Sequence, residues 1–225
     1  MKWDLKGTVM QILSMELEPG DVVTSESGAM VYMSDNVKMD TKAKGGIFSS
    51  LKRAFAGESF FLVDFSVKGG KGIVSFSSEI PGKILPLELD EGEGVIAQKD
   101  AYLCSTGGTL DASFTKRISA GFLGGEGLIL VKVEGPGWAF LNVGGEVDKV
   151  KLNKGEKLRI DTGSLAAFEK GMDYSVDRVR GVKNIIWGGE GLFLATITGP
   201  GTVWIQSLSI KDLAGRIAQY LPNRG

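Results

Sequence analysis

The sequence predicts an all-β protein built from three tandem β-repeats, closed into a pseudo-threefold sandwich with a short C-terminal helix. Three observations point there. Glycine fills 33 of 225 positions, roughly twice the usual share of about 7%, and it recurs beside short apolar runs as turns between strands do. Two columns of matched residues recur three times at nearly constant separation. Helical periodicity is confined to two short stretches.

The first column reads Pro19-Gly20-Asp21-Val22-Val23, then Glu91-Gly92-Glu93-Gly94-Val95, then Lys154-Gly155-Glu156-Lys157-Leu158. Each is a turn in which glycine takes a backbone conformation that side chains disfavour. Eight residues past each glycine stands Gly28, Asp100 or Gly163, leading into Ala29-Met30-Val31, Ala101-Tyr102-Leu103 or Leu165-Ala166-Ala167. The second column is Gly57-Glu58-Ser59-Phe60-Phe61, Gly125-Glu126-Gly127-Leu128-Ile129 and Gly189-Glu190-Gly191-Leu192-Phe193. Its glutamates lie 38, 34 and 35 residues beyond the first-column glycines. In the second and third copies Gly135-Pro136-Gly137 and Gly199-Pro200-Gly201 follow in step, as tight connections between two strands. Leu128 to Val133 is apolar almost without a break, which predicts a strand buried on both faces. The columns divide one domain into units of about 1–88, 89–152 and 153–210, followed by a helix over 211–221.

Two segments have helical spacing. In Ile47 to Ala56 the residues Phe48, Leu51 and Phe55 share a face opposite Lys52 and Arg53. In Ile210 to Leu221 the apolar residues Leu213, Ile217, Tyr220 and Leu221 line up, with Asp212 near the start and Pro222 as a stop.

Composition narrows the function. Twenty-six basic against 27 acidic residues leave a net charge of −1, so no overall field gathers nucleic acid. The chain has no histidine, which removes the commonest general base, the serine and cysteine triads that need it, and most zinc sites. The single Cys104 suits a reducing compartment. The start of the chain lacks the apolar core of a signal peptide and no apolar run approaches about 20 residues. The expectation is a cytoplasmic protein.

Of the short motifs, Gly92-Glu93-Gly94-Val95-Ile96-Ala97 fits a dinucleotide fingerprint by spelling only, since it occupies a turn column rather than a strand-to-helix junction. Ile80-Pro81-Gly82-Lys83 lacks the flanking residues of a phosphate loop. Glu58, Glu126 and Glu190 form the most interesting polar column. Converging carboxylates would ligate Ca²⁺ or Mg²⁺, whereas carboxylates that accept backbone N–H groups at each turn are structural; the second reading is favoured, and no metal is expected. Cys104, on an apolar strand and without a base, reads as an inert buried thiol. A serine–lysine dyad stays open, and no spacing joins Asp161 to Asp173 or Asp177. Phe48, Leu51, Lys52, Arg53 and Phe55 fit a lid over the first unit, an oligomer contact, or a membrane or partner contact.

Several motifs in order resemble a known family. Gly45-Gly46-Ile47-Phe48 with Leu51-Lys52-Arg53-Ala54-Phe55-Ala56-Gly57-Glu58-Ser59-Phe60-Phe61, then Phe122-Leu123-Gly124-Gly125-Glu126-Gly127, then Ile160-Asp161-Thr162-Gly163-Ser164-Leu165, are similar to the altered inheritance of mitochondria protein 24 family over essentially the whole chain. The resemblance implies a fold like the tryptophan RNA-binding attenuation protein (TRAP), related to the double-stranded β-helix, and a homo-oligomer. It also implies an association with membrane organisation or envelope stress, hence a peripheral membrane surface or a membrane protein as partner. It implies no catalytic activity and no cofactor. The sequence therefore leads to a non-enzymatic homo-oligomeric scaffold or binding protein. The alternative is a TRAP-like module for a small ligand or RNA, with Trp138 and Trp204 in comparable strands. Nucleic acid is disfavoured because no matching set of lysines and arginines is present.

Overall fold

A computed structural model describes residues 1–26, 28–41, 62–111, 128–178 and 193–221. Short strands alternating with glycine turns give seventeen β-strands among them, all antiparallel in their pairings. The first seven are β1 (Lys2–Lys6), β2 (Ile12–Leu17), β3 (Val23–Glu26), β4 (Met30–Met33), β5 (Val37–Thr41), β6 (Leu62–Val67) and β7 (Gly72–Ser77). Then come β8 (Gly82–Leu89), β9 (Gly94–Gln98), β10 (Tyr102–Asp111) and β11 (Leu130–Gly144). The last six are β12 (Val147–Leu152), β13 (Lys157–Asp161), β14 (Leu165–Glu169), β15 (Asp173–Arg178), β16 (Phe193–Thr198) and β17 (Gly201–Gln206), and helix α1 (Ile210–Ala218) closes the chain. Among the described residues the structure is all-β apart from that helix and one 3₁₀ turn at Lys99–Ala101.

One pairing scheme recurs in three groups. In the first, β7 lies between β2 and β4 while β6 lies between β3 and β5. In the third, β17 lies between β12 and β14 while β16 lies between β13 and β15. In the second, β11 does both jobs along its length: its end from Gly137 to Gly144 pairs β8, its start from Leu130 to Glu134 pairs β9, and β10 runs along the other side. Leu17 faces Gly72, Leu89 faces Gly137 and Leu152 faces Gly201 in the three ladders. On the other side of β7, β11 and β17 a bulge interrupts the ladder to β4, β10 and β14, at Met30/Tyr32, Tyr102/Cys104 and Leu165/Ala167. Hydrogen bonding thus groups β8 with β11 and β12 with β17. The strand ahead of each glycine turn joins the strands that follow it, one strand earlier than cuts at 88/89 and 152/153 would have it.

The glycine column makes the same turn each time. Gly20, Gly92 and Gly155 have φ of 100°, 86° and 81°, the left-handed region that glycine enters without steric cost. The acidic residue after each glycine closes the turn from both sides. Asp21 donates its N–H to the Glu18 carbonyl while its carboxylate accepts from the Glu18 N–H at 2.9 Å. Glu93 does the same on Asp90 at 3.0 Å, and Glu156 on Asn153 at 2.6 Å.

The Gly-Pro-Gly segments depart from expectation in one copy. Gly199-Pro200-Gly201 does connect β16 to β17, but Gly135-Pro136-Gly137 lies inside the unbroken β11. The reason is close backbone contact from two neighbours. A Cβ on Gly135 would sit 2.3 Å from the Asp90 carbonyl oxygen, and one on Gly137 at 1.9 Å from that of Thr106. Only glycine permits that approach.

Each group has its own apolar core. Leu13, Met15, Leu17, Phe65, Val74 and Phe76 fill the first, joined by Leu103, Cys104 and Phe140 of the second group. Val95, Val131, Val133, Leu141 and Val143 fill the second, joined by Leu62 on one side and by Ala166, Ala167 and Trp204 on the other. Leu152, Ile160, Leu165, Phe168, Ile197 and Val203 fill the third, joined by Ile96, Leu128 and Leu130. Removing such side chains from water contributes about 1.5–3 kcal/mol each, so the cores, and not the exposed ion pairs, dominate the stability. The groups join through strands, β10 to β3 and β14 to β9. A closed threefold arrangement needs a third such junction, β4 to β13. Among the described residues β4 pairs only with β7 and β13 only with β16, so the pairing runs as an open row of three.

Candidate functional site

Phe48, Leu51, Lys52, Arg53 and Phe55, and the glutamates Glu58, Glu126 and Glu190, lie outside the described residues. The other residues singled out from sequence serve the fold. Cys104 is completely buried and its thiol is pushed well above its ordinary range by that burial, so it resists ionisation. Trp138 packs with Trp3 at 5.1 Å and Phe140 at 5.9 Å between ring centroids. Trp204 is 6% exposed. Asp161 and Asp177 both oppose Leu194, from opposite sides of β16, which sets them two strand spacings apart, about 10 Å, too far to share a proton. Asp161 instead accepts the Gly163 N–H at 2.8 Å. Among the described residues no group of three His, Cys, Asp or Glu side chains is placed to hold a metal ion, and no helix is long and apolar enough to cross a membrane.

Among the described residues three places concentrate polar groups or exposed apolar surface. The first is the seam between β3 and β10. There the buried Tyr102 hydroxyl donates to the Thr24 carbonyl at 2.8 Å and lies 3.0 Å from the Ser105 hydroxyl, while Ser25 Oγ donates to the Leu103 carbonyl at 2.8 Å. At the end of the seam Glu26 has its carboxyl pushed up to about 7, first by burial and then by the negative charge of Glu79, against the pull of Lys99.

The second is the pair of outer strand edges. Val31 and Tyr32 on β4 are 50% and 48% exposed. The residues at the same ladder positions in β10 and β14, Leu103 with Cys104 and Ala166 with Ala167, are 2% exposed or less. On β13, Lys157, Arg159 and Asp161 are exposed, whereas Thr24 and Ile96, the counterparts of Arg159, are 8% and 4% exposed. The face beside β4 is polar: the Ser75 hydroxyl stands where Phe140 and Trp204 stand in the other groups, 2.9 Å from Ser14 Oγ, which lies 3.3 Å from the Tyr32 hydroxyl.

The third is α1. The Ser209 hydroxyl caps it by accepting the Asp212 N–H at 3.0 Å, and Ser209 itself is buried. The helix it anchors has no buried residue. Ile210 and Ile217 are exposed, as are Tyr220 and Leu221 just beyond its end. The helix ends at Ala218, three residues short of the sequence expectation, as its last turn tightens with Tyr220 N–H donating to the Ile217 carbonyl.

The family model described as mitochondrial biogenesis AIM24 matches residues 3–208. The chain belongs to the AIM24 family. An uncharacterised protein of Streptococcus pyogenes serotype M6 is 30% identical over 219 residues, spanning 94% of this chain and 87% of that protein. The fold is similar to a crystal structure of a Streptococcus pyogenes protein, with a TM-score of 0.79 and 28% identity over 98% of this chain and 99% of that one. The AIM24 match thus takes in all three groups and both edges, and ends just before α1.

The sequence did not single out these edges. The apolar triplets beginning at Ala29, Ala101 and Leu165 look alike, and nothing in them marks the first as uncovered. A usable signal lay elsewhere, in serine at 75 against aromatics at 140 and 204.

Proposed function

We propose that this AIM24 protein is a non-enzymatic, homo-oligomeric scaffold that binds at the periphery of a membrane. The observation that carries the reading is the use of its polar side chains. The turn acids close turns, the seam hydroxyls bind backbone carbonyls between groups, and the thiol is buried. Such groups are engaged in holding a shape. The exposed apolar residues of α1, at the spacing of one helical face with Lys211 and Arg216 on the same helix, supply the membrane contact. So short a helix binds weakly alone, and several copies on one assembly bind through avidity. The placement of Trp138 and Trp204 supports the scaffold over an RNA or small-ligand module, because both rings are engaged in internal packing.

Flotation of the full chain with phosphatidylglycerol-containing vesicles tests the reading, beside sedimentation velocity of the same sample. A self-associated species that floats, and that stops floating when Ile217→Asp and Leu221→Asp are combined, is expected. A monomer that never floats would overturn it.

A further inference from the structure

We propose that the turn between β1 and β2 is a second membrane-contact point, where exposed Val9 and Met10 meet an anionic lipid surface together with α1. The proposal rests on the peripheral-membrane reading above and adds to it the end of the molecule that faces the lipid.

Hydrogen bonds fix the shape of this turn. Gly7 has φ of 92°, which lets the chain leave β1 sharply. The Gln11 side chain braces the turn, donating to the Gly7 carbonyl at 3.1 Å and accepting the Ile84 N–H at 2.8 Å. Met10 donates its own N–H to the Gly82 carbonyl at 3.1 Å. So held, the turn still leaves Val9 62% and Met10 50% exposed. Among the described residues Met10 is the one non-glycine with positive φ, at 55°, a conformation that glycine or asparagine enters at less cost. A half-exposed side chain recovers little of that cost by packing within its own chain. Glycine would serve a bare turn better, so the methionine has a use outside the fold.

The turn and α1 leave the body at the same end. In the three groups β2, β8 and β12 begin where β7, β11 and β17 finish: Ile12 faces Ser77, Gly82 faces Gly144 and Val147 faces Gln206. Backbone contacts tie these ends into one row. Met10 N–H donates to the Gly82 carbonyl, Gly82 pairs with Gly144, and Leu208 N–H donates to the Gly144 carbonyl. Three strand spacings put the turn within about 15 Å of Leu208, at the root of α1.

Charge tells the two ends apart. The opposite end carries the glycine turns, with Asp21, Asp90, Glu91, Glu93 and Glu156 against Lys154, and an anionic bilayer repels such a surface. At the proposed end residues 7–11 carry no charge, Lys6 is exposed beside them, and Lys211 and Arg216 outnumber Asp212 on α1. Two acids there are paired, Glu146 with Lys83 at 2.5 Å and Asp100 with Lys99 at 3.6 Å. Two apolar points at one end also multiply their effects on binding.

Flotation of the full chain with vesicles of equal parts phosphatidylcholine and phosphatidylglycerol tests this, beside a polarity-sensitive dye attached through Val9→Cys. Wild type should float, and a variant combining Val9→Ser with Met10→Gly should partition at least about tenfold less. The Tm of that variant should hold or rise, because glycine suits the left-handed turn. The dye at position 9 should shift to the blue when vesicles are added. The same dye attached through Ile73→Cys, towards the opposite end, should not shift, and Cys104 is buried and stays unlabelled. Wild type that never floats would overturn both the turn contact and the membrane reading. Flotation that survives in the Val9→Ser, Met10→Gly variant and is lost with Ile217→Asp and Leu221→Asp, with no blue shift at position 9, would overturn the turn contact alone. A blue shift that grows with protein concentration in the absence of lipid would also overturn it, since the turn would then touch a second copy.

Discussion

Tyr102→Phe deletes one oxygen from the seam between the first and second groups and leaves the ring, 2% exposed, in place. The transfer term is therefore small, and the loss is set by hydrogen bonding. The Thr24 carbonyl loses a donor at 2.8 Å and the Ser105 hydroxyl a neighbour at 3.0 Å. Serine can rotate to another partner, but the carbonyl cannot move without its strand. A buried acceptor left short costs about 1–3 kcal/mol, partly offset because phenylalanine has no hydroxyl to desolvate. A net loss of about 1–2 kcal/mol follows, which for a chain of this size lowers Tm by about 3–6 °C. Ser25→Ala removes the neighbouring bond to the Leu103 carbonyl and should cost about 1 kcal/mol.

Because both bonds hold β3 to β10, the double variant should lose less than the sum, with a coupling of about 0.5–1 kcal/mol. Urea unfolding followed by far-UV circular dichroism, with unchanged slope, measures all four corners of the cycle. Two results refute the reasoning. A Tyr102→Phe protein within about 0.3 kcal/mol of wild type would show that the hydroxyl is not holding the seam. Strict additivity with Ser25→Ala would show that the two bonds do not act on one junction.

Two further outcomes are expected. Glu26 binds its proton more tightly folded than unfolded, so the folded state carries the extra proton between the ordinary value of 4.5 and about 7. Stability should be greatest below that window, fall as pH rises through it and level off above it, by on the order of 1 kcal/mol once partial exposure is discounted; Glu26→Gln should flatten the urea midpoint against pH, and a slope unchanged by that substitution would refute the assignment. Asp21→Ala, Glu93→Ala and Glu156→Ala should each lower Tm by about 2 °C and add in the triple variant as independent sites do, because the three turns lie in different groups; scanning calorimetry of the series checks both the size and the additivity.

The turns were legible because their chemistry is local. A glycine followed by an acid closes a turn using atoms within four residues, and a chain motif of that length carries its whole explanation. The expectation for Leu128 to Val133 was legible on the same terms, since Leu130, Val131 and Val133 are buried and a run apolar but for Lys132 has little to turn to water. Gly135-Pro136-Gly137 was misread as a connection because its role depends on distant strands: the Asp90 and Thr106 carbonyls approach it from two neighbours, and no local rule announces that. The placement of β8 and β12 was hidden for a related reason. A strand next to a turn in sequence can pair on either side of it, and only the ladder decides.

The difference between an internal junction and an end is a matter of single residues. Position for position, the ladder that holds Phe140 in the second group and Trp204 in the third holds Ser75 in the first. An aromatic there is covered by the neighbouring group within the same chain, so that joint forms with folding and stays closed. Ser75 is buried, and in a chain of hydroxyls with Ser14 and Tyr32 it keeps its partners with or without a neighbouring group. The same backbone scheme therefore serves two purposes. With apolar faces it welds three groups into one body, and with hydroxyls beside one outer edge and Lys157, Arg159 and Asp161 on the other it leaves edges that water satisfies.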